Sequence, residues 1–366
     1  MSPKDKPDDS ELVHLVSSYP NDFDDSDEDE AFYAPDEGDF LFSAKWRARI
    51  RNVAQRIPRR VQRFSAVGVL VLFFVWLTLL RPYFSDMSKE YREMEADPRD
   101  RFGLNKRPEF DDIVQVKQLD TKYLPKGDAK LFVVGDVHGC KKELLELLEK
   151  GGYKEQRDHL ILTGDIVSKG PDSPGVVALA SGLHASCVRG NHEDRVLLSI
   201  AAASATPAPS FSDAKTRKLA KSLTPSQISY LQTCPVILDV GFIGSLEHVA
   251  VVHAGLVPDI SLAAQDPYQV MNMRTMNMRT RVPSERHEGT PWTKFWNHYQ
   301  TKKKGEGERW SVIYGHDKKR GFTVKEWSYG LDSGCVDGGK LTAMVINETG
   351  EHEFVHVKCP NEGYID

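Results

Sequence analysis

The chain has 366 residues, which is more than one hydrophobic core usually spans, so one large domain with appended segments is expected. Hydrophobic residues make up 40% of the sequence, and this share permits a sizeable core. The formal net charge of −5 is unevenly spread, and no basic and aromatic pattern typical of nucleic-acid binding is present, so no nucleic-acid partner is expected. The five cysteines form no CxxC pair, which argues against a cysteine zinc site and leaves one or two disulfides open.

Three segments of different composition precede the globular part. Residues 1–44 contain an acidic run from Asp24 to Glu30 and no apolar periodicity, so we expect a disordered acidic tail. Residues 45–63 are basic, and the apolar run FSAVGVLVLFFVWLTLL follows. Its 17 residues would cover about 26 Å as a helix, close to the ~30 Å of a hydrocarbon core. The sequence therefore predicts a transmembrane helix over residues 64–81; the alternative, a buried core helix, is disfavoured by the basic flank.

The charges around the apolar run predict its orientation. Lys and Arg are concentrated before the run, whereas the residues after it carry both signs. This asymmetry predicts a single-pass type II protein with a cytoplasmic N-terminus and a lumenal C-terminal domain. A cleaved signal peptide is not expected, because the run begins about 64 residues into the chain and no small-residue cleavage site follows it. The sequon Asn347-Glu348-Thr349 would lie on the glycosylated side, and the cytoplasmic tail would be accessible to sorting machinery.

The remaining sequence predicts a linker and one folded domain. Residues 82–125 are polar and contain proline, which indicates a stalk or linker before a domain at residues 126–366. Within the domain, short apolar runs alternate with helical patterns and glycine-rich turns. The predicted strands are 131–136, 159–165, 185–191, 236–240, 248–255, 311–317, 341–346 and 353–358, and the predicted helices are 141–150, 174–182 and one from about residue 193. Because the C-terminal part is β-rich, we expect an α+β fold, a two-sheet β-sandwich flanked by helices.

Five predicted strand ends share one feature, since each runs into side chains that bind divalent cations. The segments are Gly135-Asp136-Val137-His138-Gly139, Gly164-Asp165, Gly190-Asn191-His192-Glu193-Asp194, His253-Ala254-Gly255 and Gly315-His316-Asp317. Asp, His and Asn suit first-row transition metals, and two metals about 3.5–4 Å apart can clamp an in-line displacement at phosphorus. One such motif alone is usually an ordinary loop, but all five together predict a two-metal phosphoesterase site.

The same segments resemble the sequence blocks of the calcineurin-like metallophosphoesterases, and in particular the phosphoprotein-phosphatase branch. The blocks are GDVHGC, GDIVSKGPDS, RGNHED, HAGL and YGHD, within roughly residues 130–358. The resemblance implies six metal ligands: Asp136 and His138 for the first metal, Asp165 bridging both, and Asn191, His253 and His316 for the second. It also implies that His192 is the general acid, and that a hydroxide bridging both metals attacks phosphorus.

The second block departs from the protein phosphatases, which have GDxVDRG. Ser168 stands where they carry the Asp that orients the catalytic His, and Lys169 replaces their phosphate-binding Arg with a point charge. Asp172 and Asp194 are the candidates to orient His192 instead. The segments that shape a peptide-binding groove are also not recognisable, which disfavours a protein substrate.

Other features resemble two groups that cleave phosphoanhydride bonds. GDVHGC, GDxVxxGP and GHD resemble the bacterial symmetrical diadenosine tetraphosphate hydrolases. The membrane anchor, SKGPDS, YGHD and the block Leu331–Cys335 resemble the zinc-dependent vacuolar endopolyphosphatases of fungi. These resemblances imply hydrolysis of inorganic polyphosphate in the vacuole membrane, with two zinc ions or else cobalt, manganese or magnesium. Dinucleoside polyphosphates and serine/threonine phosphoproteins are the alternative substrates.

A polyanionic substrate requires positive charge beyond the metals. The tandem repeat MNMRT contains Asn-Met-Arg twice. This element resembles one in the hydrolase relatives, and the resemblance implies that either Arg274 or Arg279 contacts phosphate. The candidate substrate-binding residues are Arg189 and Lys169 in the blocks, Arg274 or Arg279 in the repeat, and Lys318, Lys319 and Arg320 directly after His316.

Overall fold

The computed structural model describes residues 58–95, 113–204, 213–305, 307–360 and 364. The predicted acidic tail and most of the basic segment therefore lie outside the described residues. Backbone contacts divide the chain into two units, residues 1–82 and 83–366.

The predicted membrane anchor is helical. Helix α1 (Arg59–Val75) is followed by a π-helical turn at Trp76–Leu80, and α2 spans Arg81–Glu95. Within the described ranges, the one helix long and apolar enough to cross a membrane runs from Arg59 to Arg92, and none of its apolar stretch is buried. Length and composition are the support for a membrane anchor, which therefore stays a prediction.

Two sheets form the centre of the second unit. The larger sheet comprises, in spatial order, β1 (Val116–Gln118), β5 (Ile237–Phe242), β6 (His248–Val252), β10 (Trp310–Tyr314), β12 (Ser328–Gly330) and β11 (Thr323–Lys325). The smaller sheet comprises β14 (His352–Lys358), β13 (Lys340–Ile346), β2 (Leu131–Val134), β3 (His159–Leu162) and β4 (Ser186–Cys187). A third, minor sheet contains β8 (Pro283–Ser284), β7 (Thr275–Met276) and β9 (Thr290–Pro291).

Helices cover the outer faces of the two larger sheets. They are α3 (Lys141–Lys150), α4 (Ser173–Gly182), α5 (Asn191–Ser204), α6 (Ala214–Ser222), α7 (Pro225–Gln232), α8 (Pro267–Asn272) and α9 (Trp292–Lys302). Helix α3 shows why apolar spacing predicts the helices. Leu144, Leu147 and Leu148, at helical spacing, are buried, while the residues between them face solvent.

The sheets pack face to face because side chains alternate along each strand. On β2, Leu131 and Val133 point toward the larger sheet and share a core with Leu238 of β5. Phe132 and Val134 point the other way, into the core beneath α3 to α5. A further core lies between the larger sheet and α8 and α9. Complete burial of one apolar side chain of this size stabilises the folded state by about 1.5–3 kcal/mol.

The predicted pair of sheets with helices outside is confirmed, but the α+β class is wrong. Strands β2, β3 and β4 are parallel neighbours whose connections contain α3 and α4. Strands β6, β10 and β12 are also parallel, although antiparallel pairs are present in both sheets. The fold is therefore α/β with mixed sheets, because helical crossovers join parallel strands.

The folded domain also begins before residue 126, the start that the sequence predicts. Strand β1 pairs with β5, and Leu119 directly after it is buried between the sheets. A strand of three residues with partly exposed side chains offers no readable apolar alternation, which explains the difference.

Two disulfides lie close to segments that carry predicted ligands. Cys187 pairs with Cys234 across 47 residues, and Cys335 pairs with Cys359 across 24 residues. The second bond fastens the turn after β12 to the end of β14. Cys140 is buried and unpaired.

We expect the Cys335–Cys359 disulfide to stabilise the domain by about 2–4 kcal/mol, since it restricts the unfolded chain. Cys335→Ser, Cys359→Ser and the double variant should lower the free energy of unfolding equally, because each removes the same bond. Urea unfolding of the oxidised proteins measures this quantity. Losses that add up in the double variant would contradict a shared bond.

Candidate metal centre

The predicted ligands follow neighbouring strand ends. Strands β2 and β3 are parallel and in register, so the segments with Asp136 and Asp165 emerge side by side. In the larger sheet, β6 and β10 are parallel, and His253 and His316 follow them. Asn191 is the first residue of α5, which comes after β4. Five segments thereby meet at the carboxyl ends of parallel strands, the usual place for a site in such sheets.

Two glycines permit this close approach. A Cβ atom on Gly315 would overlap Asp136 Oδ1, and one on Gly190 would overlap Asp165. Asp165 and His138 themselves have left-handed backbone angles, with φ of 48° and 45°. Such conformations cost non-glycine residues roughly 1–3 kcal/mol and are concentrated at functional sites.

Asp165 lies at the centre of the cluster, and its two oxygens face different groups. Oδ1 lies 3.3 Å from His253 Nε2, whereas Oδ2 lies 3.4 Å from His138 Nε2 and 3.9 Å from His192 Nε2. Two sets of potential ligand atoms, each within 4.8 Å of one another, share this residue: His138, Asp165 and His192, and Asp165, His253 and His316. A carboxylate with one oxygen toward each set is arranged to bridge two cations.

Backbone carbonyls determine which ring nitrogen of three histidines faces the centre. The pairs are His253 Nδ1 with the Thr163 oxygen at 2.9 Å, His138 Nδ1 with the Val167 oxygen at 3.0 Å, and His316 Nε2 with the Asn272 oxygen at 3.0 Å. A carbonyl oxygen only accepts, so each of these nitrogens carries the proton. The other ring nitrogen therefore presents a lone pair to the centre, as in metal-binding histidines.

These lone pairs converge on one another. His253 Nε2 lies 3.1 Å from His316 Nδ1 and 3.0 Å from Asn191 Oδ1. Acceptor atoms at these distances repel unless positive charge lies between them. Imidazole, carboxylate and amide oxygen form a donor set that suits first-row divalent cations, so the residues fit a metal centre.

The pKa values also indicate that the centre requires positive charge. Burial raises the pKa of Asp136 well above its usual value, and the charge of Asp332 raises it further. Burial lowers the pKa of His138 to about 3. Burial also opposes the charging of His253, but the neighbouring Asp165 carboxylate outweighs it and raises the pKa of His253 to about 10. A cation would supply the charge that His253 otherwise provides.

Glu193 supports the bridging segment from behind. Its fully buried carboxylate accepts the backbone N–H groups of Asp165, Ile166, Val167 and Gly190 at 2.7–3.0 Å. Burial, with the charge of Asp165, raises the pKa of Glu193 to about 7, although the backbone donors of Val167 and Gly190 lower it. No sequence motif predicts a role for Glu193, and its hydrogen bonds identify it as a positioning residue.

Asp332 is a second residue that the sequence analysis leaves without a role. It follows β12 and is buried. It lines the small cavity that Asp136 and Asp165 also line, called the metal cavity below. The sequence feature that could identify Asp332 is the block Leu331–Cys335, which resembles the fungal endopolyphosphatases. Asp332 adds a third carboxylate to the centre and strengthens its requirement for cations.

Four of the predicted substrate-binding residues border the centre. Lys169, Arg274 and Lys318 line the metal cavity, and Lys169 Nζ lies 2.8 Å from His138 Nε2. Arg274 and Lys318 also line an adjoining cleft of about 630 Å³, together with Lys319. Arg274, Lys318 and Lys319 bring positive charge to the cleft. Asp317 and Asp337 line it as well, and Lys318 Nζ lies 2.6 Å from Asp337 Oδ2.

The structure does not bring the other three predicted contacts to the described lining of the cavity or the cleft. Arg189 is buried, and its guanidinium lies 2.9 Å from the Asp194 carboxylate. Arg320 pairs with Asp317. Arg279 is exposed in the turn after β7. Local carboxylates therefore hold Arg189 and Arg320. Of the two arginines in the tandem repeat, Arg274 lies at the site.

The residues suggested to orient His192 are also engaged elsewhere. Asp172 caps α4 by accepting the Gly175 N–H at 2.8 Å, and Asp194 pairs with Arg189. The carboxylate of Asp165 lies near the His192 ring, with Oδ2 3.9 Å from His192 Nε2.

Residues 129–344 match the calcineurin-like phosphoesterase family. The chain belongs to that family. Its members use a dinuclear metal centre, in agreement with the convergence around Asp165.

The chain is similar to an endopolyphosphatase and to bis(5'-nucleosyl)-tetraphosphatases. The zinc-dependent endopolyphosphatase of Saccharomyces cerevisiae is 28% identical over 276 residues, covering 62% of this chain and 80% of the relative. A symmetrical bis(5'-nucleosyl)-tetraphosphatase of a Janthinobacterium species is 26% identical, covering 63% of this chain and 96% of the relative. A crystal structure of a candidate diadenosine tetraphosphatase superposes with a TM-score of 0.54 and 32% identity, covering 67% of this chain and 98% of that one.

We expect Glu193→Gln to weaken metal binding by roughly 10- to 100-fold, because the new amide N–H₂ would face backbone N–H donors and release the Asp165 segment. Competition with a chromophoric zinc chelator measures the affinity. The matched control is Glu146→Gln, at an exposed position of α3. Unchanged zinc affinity in Glu193→Gln would contradict the positioning role.

Proposed function

We propose that this protein is a metal-dependent endopolyphosphatase that hydrolyses phosphoanhydride bonds within inorganic polyphosphate. The convergence of the other five predicted ligands around Asp165, beside a cleft lined by Arg274, Lys318 and Lys319, carries the proposal. The yeast relative named as a zinc-dependent endopolyphosphatase supports both the substrate and zinc as the metal.

The residues of the centre would have different roles in hydrolysis. Asp136, His138 and Asp165 would hold one cation, and Asp165 with Asn191, His253 and His316 the other. Two bound divalent cations would lower the pKa of water and neutralise charge on the phosphoryl oxygens. Lys169 and Arg274 would hold the non-reacting oxygens, and the cleft would hold further phosphates of the chain.

His192 would protonate the leaving oxygen. Burial lowers the pKa of His192 to about 4, with Asp165 opposing the shift and Lys169 contributing to it. The ring is therefore neutral at pH 7 without substrate. A phosphate chain would bring negative charge next to the ring and would draw Lys169 toward itself, and both effects raise the pKa of His192.

A dinucleoside polyphosphate hydrolase is the second candidate. The 32% identity to the crystal structure of a candidate diadenosine tetraphosphatase favours it. Both substrates contain phosphoanhydride bonds, so the same centre suits either.

The proposed location is the vacuole membrane, with the catalytic domain in the lumen. Support comes from the apolar helix and from two disulfides, which persist in oxidising compartments. The basic flank before the helix indicates a cytoplasmic N-terminus.

A substrate comparison tests the proposal. Full-length protein is incubated with long-chain polyphosphate, diadenosine tetraphosphate or a phosphopeptide, each with zinc, cobalt, manganese or magnesium. We expect polyphosphate to be shortened to chains of intermediate length, visible on gels. If the dinucleotide is cut while polyphosphate stays intact, the polyphosphatase assignment is wrong and the second candidate replaces it.

We expect Asp165→Asn and His192→Ala to fail in different ways. Asp165→Asn should bind neither cation well and lose essentially all turnover, because both ligand sets share this carboxylate. His192→Ala should keep both metals and lose about 10²- to 10⁴-fold in rate, as removal of a general acid does. Metal content by mass spectrometry and initial rates separate the two. Loss of metal from His192→Ala would instead make His192 a ligand.

The tandem repeat provides a matched pair for the cleft. Arg274→Ala should raise the KM for long polyphosphate about 10- to 100-fold, because a charged hydrogen bond contributes about 1.5–3 kcal/mol. Arg279→Ala removes the same charge from an exposed turn and should change KM little. Equal effects of the two variants, measured by steady-state kinetics, would contradict a specific role for Arg274.

A further inference from the structure

The hairpin turn between β13 and β14 carries a motif that the metal centre does not use. Asn347-Glu348-Thr349 is the one Asn-X-Ser/Thr sequence in the chain. Such a sequon is an acceptor for N-linked sugar in the lumen of the secretory pathway.

The turn presents the sequon in a defined conformation. Asn347 Oδ1 accepts the Thr349 backbone N–H at 3.1 Å and the Thr349 hydroxyl at 2.8 Å. These hydrogen bonds withdraw electron density from the amide and make its N–H more acidic. Asn347 Nδ2 carries two hydrogens, and Glu351 accepts one of them at 2.9 Å. Glu348 and Thr349 are exposed, so the turn lies at the surface.

The strand register places this turn away from the metal centre. Strand β13 is antiparallel to β2, with Ile346 opposite Leu131 and Ala343 opposite Val134. The ligand segment follows the end of β2, whereas Asn347 lies beside its beginning. The two edges are separated by roughly 10 Å of strand. A bulky group on Asn347 would therefore leave the cleft open.

We propose that Asn347 is an N-glycosylation site. Its Nδ2 would attack the anomeric carbon of an oligosaccharide carried on a lipid diphosphate. A C–N bond forms, the sugar C–O bond breaks, the lipid diphosphate leaves with the bonding electrons, and the amide proton passes to a base. The proposal rests on the lumenal location proposed above, and it is independent of the substrate of the metal centre.

Enzymatic deglycosylation of the full-length protein, expressed in a yeast or insect cell, tests the site. The denatured wild type should gain mobility by one glycan on treatment with an N-glycosidase. Asn347→Gln and Thr349→Ala should migrate like the treated wild type, whereas Thr349→Ser, which keeps the hydroxyl, should retain the shift. Denaturing gels report the modification even where a variant folds poorly.

Protease protection of sealed membranes distinguishes two causes of a missing mobility shift. A domain that is protected from protease but shows no shift would overturn the assignment of Asn347. A domain that is cleaved by external protease and shows no shift would overturn the lumenal location and the glycosylation site together. Polyphosphate hydrolysis measured on the same preparations remains a separate outcome, so failure here is distinguishable from failure of the proposed function.

Discussion

The concentration of buried acceptor atoms around Asp165 is the constraint on which the structure of the site depends. Three carboxylates, three imidazole nitrogens and an amide oxygen surround a small cavity. Without a cation, the charge is balanced by protonation, and the raised pKa of His253 shows this. Cation binding then replaces protons, so metal affinity, pH and folding are linked at this position.

The fold meets this constraint largely with backbone groups. The carbonyls of Thr163, Val167 and Asn272 orient the imidazoles, and Glu193 collects the N–H groups of the segment that carries Asp165. Backbone groups at the ends of parallel strands lie in positions that the sheets determine. The groups that orient the ligands are thus positioned mainly by strand register and by the glycines that allow segments to approach. Individual polar side chains contribute less.

This dependence explains what the sequence could predict. Five of the six ligands follow strands of four or five mostly apolar residues, so local pattern and order place them together. Asn191 instead follows the two-residue strand β4 and is identified by the block RGNHED. Asp332 follows β12, a strand of three residues without a readable apolar run, so the sequence predicts no role for it. Strand β1 also has three residues and is not predicted for the same reason. Arg320 lies three residues from Asp317, a spacing that could have indicated a local ion pair instead of a phosphate contact.

The segment with Ser168 and Lys169, which departs from the second block of the protein phosphatases, would connect metal binding to substrate binding. Ser168 and Lys169 both have left-handed φ angles, of 74° and 67°, which hold the Lys169 amine against the inward lone pair of His138. A cation bound at that lone pair would repel the ammonium group. Lys169 would then turn toward the cleft, where a phosphate chain offers negative charge. A single flexible charge can follow successive phosphates of a linear polyanion, whereas a guanidinium fork favours one fixed phosphate geometry. The exchange of Arg for Lys is therefore consistent with a substrate that moves through the site.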